Sequence, residues 1–232
     1  NTNIKSVADN IREHLGFSED WASQHDTWTQ SLATLREKVE DIGILLTKNG
    51  VVGNNSHRPL NVEEFRGFVL IDKYAPLIFI NGRDSEGAQM FTIAHELAHI
   101  WIGEGAIFNL LRLQPYDNHI EIFCNKVAAE FLVPAIKLQK SWNDVFRRDN
   151  PYKILARQFK VSPIVIARRA LDLNLISEDK YFSFYNRYRD EYEAKKLDNK
   201  EKDKSGGDFY NNQNVRVGKR FFIAIVRAAK EG

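Results

Sequence analysis

The stretch FTIAHELAHIW, residues 91–101, constrains the fold more than any other part of the chain. Its aliphatic, aromatic and small side chains describe a helix buried almost all round. Yet His95, Glu96 and His99 sit in its middle, and burying three polar groups without partners is costly. On a helical wheel at 100° per residue, with Thr92 at zero, His95, His99, Gly103 and Glu96 fall at roughly 300°, 340°, 20° and 40°. Ile93, Ala94, Leu97, Ala98, Ile100 and Trp101 fill the rest of the circle, and no Lys, Gln or Ser marks the polar face as solvated. A metal ion resolves the conflict. Two histidines one helical turn apart aim their imidazoles at one point, and the glutamate beside it is placed to take a proton from water activated there. The expectation is one Zn2+ per chain, with another divalent ion such as Mn2+ as the alternative.

A catalytic zinc site wants a third protein ligand. The next helical pattern, HIEIFCNKVAAEFLVP, offers His119, Glu121 and Glu130. Glu121 and Asn125 share a face, so Glu121 is the expected ligand and Asn125 the residue that braces a ligating histidine. Glu130 lies about 180° round from Glu121 and is expected to pair with Lys126 on the outside. Cys124 reads as a small core residue. As the only cysteine it excludes an internal disulfide and fits a reducing compartment.

Around these two helices the period varies. Ile4, Val7, Ile11 and Leu15 have helical spacing, as do Leu32, Leu35, Val39 and Ile42. Asn49-Gly50 predicts a hairpin turn between apolar runs. EFRGFVLID and PLIFING read as strands joined by the short KYA turn, and Asp84 or Ser85 as the N-cap of the histidine helix. The second helix should run from about His119 to Val133 and stop at Pro134.

With FRGFVLIDKYAPLIFINGRDSEGAQMFTIAHELAHIW and EIFCNKVAAEFLVP in view, the chain resembles the ImmA/IrrE family of metallo-endopeptidases across about residues 30–180. The resemblance implies a zincin site with His95, His99 and Glu121 on the metal and Glu96 as general base. It also implies a bacterial, cytoplasmic protein whose substrate is a protein partner encoded nearby, typically a helix-turn-helix repressor of a mobile element, phage or stress response. A zincin of this type lays its substrate along an exposed strand edge, for which PLIFING and EFRGFVLID are both candidates. Tyr116, His119, Tyr152 and Arg83 are candidates for stabilising the oxyanion.

ILARQFKVSPIVIARRAL fits a helix-turn-helix, with Ala156 as its small residue, Val161-Ser162 as the turn and Ile166 buried. Arg147, Arg148, Lys153, Arg157, Lys160, Arg168 and Arg169 stand there against Asp149 alone, a local basic patch on a chain of net charge +2. The rival function is therefore a DNA-binding or antitoxin-like module with a structural metal. However, Ser162, Pro163, Ile164 and Ala167 would face the bases and read them poorly. Protein docking through Arg168, Arg169 and Ile164 is the expectation, with nucleic acid not favoured. No apolar run is long enough to cross a bilayer.

The fold class expected is α+β: a zincin-like peptidase domain with a small antiparallel or mixed sheet, then a helical helix-turn-helix-like region. The divisions are a helical arm at 1–28, the peptidase domain at 29–140, the helix-turn-helix-like region at 141–194, a charged flexible linker at 195–207 and a C-terminal helix at 208–232. Because the sequence opens on Asn1 and closes within a helical pattern, truncation at both ends is expected.

Overall fold

The structure is a computed structural model that describes residues 3–53, 55–103 and 118–200, together with Gly218, Ile223, Val226, Arg227 and Ala229. Tyr116, residues 201–207 of the expected linker and Phe222 of the expected terminal helix lie outside the described residues.

Helix α1 (Ile4–Leu15) is capped by the Asn3 side chain and ends on Gly16, whose φ of 67° suits a residue with no Cβ. Helix α2 (Trp28–Asp41) starts with a reciprocal capping box between Thr27 and Gln30. Strands β1 (Leu45–Asn49), β2 (Val51–Val52), β3 (Asn55–Pro59), β4 (Gly67–Leu70) and β5 (Leu77–Asn81) follow. The main sheet is mixed, in the order β1-β5-β4: β5 runs parallel to β1 and antiparallel to β4. Asn49-Gly50 does not close a hairpin between β1 and β2. Instead β1 takes β5 as its partner and β2 pairs with β3. Leu46, Ile78, Ile80 and Val69 turn their side chains into the core, an alternation that fixes the register. That gain outweighs the local turn signal.

Helix α3 (Glu86–Ile102) carries the opening motif and is capped at Ser85. Helix α4 (Asn118–Leu132) packs against both α3 and α1. Gly67 explains how closely the sheet approaches α3: a Cβ there would lie 2.4 Å from Thr92 Cγ2 and 2.7 Å from the Phe79 carbonyl oxygen. Helices α5 (Ala135–Val145), α6 (Pro151–Phe159), α7 (Pro163–Asp172) and α8 (Glu178–Lys200) complete the described chain.

Val7, Ala8, Ile11 and Leu15 of the expected helical arm lie in the same buried cluster as Leu97, Val127 and Phe131. Leu155, Phe159, Val161, Ile166 and Ala170 of the α6–α7 pair share that cluster too. Residues 195–200, expected to begin the linker, continue α8. Among the described residues no helix is long and apolar enough to cross a membrane.

Candidate metal centre

Helices α3 and α4 face each other and bring three side chains to one point. His95 Nε2 lies 3.1 Å from Glu121 Oε2, and His99 Nε2 lies 3.2 Å from Glu121 Oε1. The two imidazole Nε2 atoms are 3.1 Å apart. Bonds of about 2.0–2.1 Å around a tetrahedral ion put neighbouring ligand atoms about 3.3 Å apart. The triad is therefore already near ligating separation, and two ring nitrogens with a carboxylate are a donor set that suits zinc. Among the described residues His95, His99 and Glu121 are the group able to hold a metal ion.

Asn125 lies one turn beyond Glu121. Its Oδ1 is 3.1 Å from His95 Nδ1. Because an amide oxygen only accepts, this contact keeps the proton on Nδ1 and leaves Nε2 bare toward His99 and Glu121. Burial lowers the pKa of both histidines from the ordinary value, which favours the neutral, ligating form.

Glu96 is buried beside the triad at 8% exposure. Burial and then the Glu121 carboxylate push its pKa up to about 8. A cation held by the three ligands would offset the Glu121 charge and draw Glu96 back toward the ionised form. Cys124 is fully buried on α4, and burial followed by the Glu121 and Glu96 carboxylates pushes its thiol up to about 12. It is a small core residue held as a thiol.

The other sequence candidates go elsewhere. Glu130 does not pair with Lys126; it is buried, forms an ion pair with Arg169, and its Oε1 accepts from the Ala135 amide. This also removes Arg169 from any docking surface, since its Nε donates to the Val133 carbonyl at 3.2 Å. Ile164 is no free anchor either: it packs against the cluster of Ala167, Tyr181 and Phe184, in which α8 covers α7. Ala167, expected to face bases, is fully buried. Lys160 is buried with its Nζ on the Arg157 carbonyl. Arg168 is exposed and pairs with Asp172 at 3.0 Å. The basic patch is thus reduced to its rim. Tyr152 packs at a tilt against Trp142 and Phe184, His119 and Arg83 are exposed, and β5 lies inside the sheet, so among the described residues β4 rather than PLIFING is the open edge beside α3.

Sequence reasoning missed Arg12, which is 3% exposed and donates to the carbonyls of Glu130 and Phe131 at 2.9 and 3.0 Å. The signal was there: Arg12 stands one turn after the fully buried Ala8, on the inner face of α1.

The family profile described as IrrE N-terminal-like domain, Peptidase M78, matches residues 39–171, more than half of the chain. The chain belongs to that family. This M78 chain therefore carries a metallopeptidase-type domain. Among solved structures, a Mycobacterium tuberculosis transcriptional regulator is similar at 17% identity and a TM-score of 0.39; the match covers 74% of this chain and 52% of that one. No curated protein matches the chain.

Proposed function

We propose that this M78 chain is a zinc-dependent endopeptidase of restricted specificity. Its substrate is a protein partner encoded nearby, a helix-turn-helix transcriptional repressor, cleaved in a stress, phage or mobile-element response in the bacterial cytoplasm. The observation that carries the reading is the convergence of His95, His99 and Glu121 beside a buried, protonatable Glu96. Zinc bound there supplies Lewis acidity toward a peptide carbonyl and toward water. Glu96 accepts the proton of the attacking water and delivers it to the leaving amine nitrogen. Asn125 holds the His95 ring in its ligating tautomer. The free edge of β4 next to α3 is the place for an extended substrate segment to add a strand. The exposed basic side chains Arg147, Arg148, Lys153, Arg157 and Arg168 form the docking rim for the partner. A DNA-reading role has less support, because α8 covers the face of α7 that would enter a groove.

The test is Glu96→Gln, which keeps shape but cannot accept a proton. Expected are stoichiometric zinc by elemental analysis and no new N-terminus when the neighbouring repressor is mixed with the variant, against clean cleavage by the wild type. Cleavage by the variant at the wild-type rate would remove Glu96 from its role.

A further inference from the structure

The two ligand-bearing helices present their ligands at vulnerable places. His99 lies in the last turn of α3 and Glu121 in the first turn of α4. Terminal turns lack part of their backbone hydrogen bonding and fray. A frayed turn would carry a ligand away from the site. Helix α1 touches both helices, though its residues lie outside the stretch matched to the family. Asn10 Oδ1 accepts from the Trp101 indole Nε1 at 2.7 Å, two residues past His99. His14 sets its ring edge-on to the same indole, 5.5 Å between centroids. Two residues from Asn10, Arg12 is anchored on the last carbonyls of α4, and Asp9 holds the guanidinium from its other side.

Resting on the metal-centre reading above, we propose that α1 is a positioning element for that centre. Arg12 fixes α1 to the far end of α4, and Asn10 fixes the last turn of α3 to α1, so the turn that carries His99 is tied through α1 to the helix that carries Glu121 before any ion arrives. The tie is short and built into one rigid helix. It acts on the backbone that carries the ligands, not on the ion.

The experiment titrates Co2+ into the metal-free full chain and follows the visible absorption of the tetrahedral ion. Far-UV circular dichroism and urea midpoints are recorded for every variant. Asn10→Ala is expected to weaken Co2+ binding about tenfold, the scale of losing a supporting partner, and to alter the absorption band while helix content stays at the wild-type level. Asn10→Asp keeps an acceptor for the indole and should restore both affinity and band. Arg12→Met should weaken binding at least as much, with a lower urea midpoint. Glu13→Ala, on the exposed side of α1, should change neither. Wild-type affinity and an unchanged band in both Asn10→Ala and Arg12→Met would overturn the proposal. So would a loss in Asn10→Ala that Asn10→Asp fails to recover. If the wild-type chain itself takes up no Co2+, the metal-centre reading falls and this one with it; binding that is indifferent to Asn10 and Arg12 defeats the positioning role alone.

Discussion

Glu121 and Glu130 stand on opposite sides of α4, and their surroundings differ in kind. Glu130 meets the Arg169 guanidinium and a backbone amide, while Arg12 and Arg169 cover the carbonyls at the end of the helix. Each charge there has an opposite charge or a dipole against it. Glu121 meets two imidazoles whose burial favours neutrality and a second carboxylate, Glu96. Its negative charge has no cation among those neighbours. One side is electrostatically closed and serves architecture. The other, among the described neighbours named here, offers two neutral-leaning imidazoles and carboxyl oxygens, a donor set suited to a cation.

The largest test of this contrast breaks the closed side. Glu130→Ala leaves the Arg169 guanidinium, 8% exposed, without its carboxylate. It should cost about 3–5 kcal/mol of stability in urea unfolding. A midpoint unchanged from wild type would show that the pair contributes nothing.

Breaking the open side should do the reverse. Glu121→Ala removes a half-exposed carboxylate beside the buried Glu96 carboxyl, so metal-free stability should stay within about 1 kcal/mol of wild type. Zinc affinity, measured against a chelator, should fall by more than the roughly tenfold to hundredfold typical of a supporting residue. Equal zinc retention by Glu121→Ala and wild type would mean that Glu121 is not a ligand.

A finer test lies one turn along the same face. Asn125→Ala frees the His95 ring and its tautomer. About a tenfold loss of zinc affinity is expected, with little change in the urea midpoint. An undiminished affinity would place the control of the His95 ring elsewhere.

The open side was readable in the sequence because helical geometry fixes it locally. The spacing His95–His99 and Glu121–Asn125 specifies two faces, and apolar surroundings on α3 specify which way those faces turn. The closed side was not readable, since it depends on where α7 and α1 cross the end of α4. Arg169 looks like any surface arginine in IARRAL, and Glu130 like half of an i, i+4 pair with solvent. The sheet shows the same division. The β4–β5 hairpin follows from adjacent sequence, whereas β1 takes β5, more than 25 residues later in the chain, as its parallel partner, which no turn signal can announce. Likewise the two short helices α6 and α7 were legible, and the packing of Tyr181 and Phe184 of α8 against α7 was not.

The bare Cα of Gly67 has a metrical consequence. With no side chain between them, β4 and α3 touch backbone to side chain at Thr92, a little under one turn before His95. The strand edge and the histidines are therefore parts of a single gauge. A peptide docked on that edge as proposed can shift only in two-residue steps of roughly 7 Å if its inward side chains are to stay inward. A bulkier residue at Gly67 would have to push aside Thr92 and the Phe79 carbonyl, so the strand edge and the histidine helix would be displaced together.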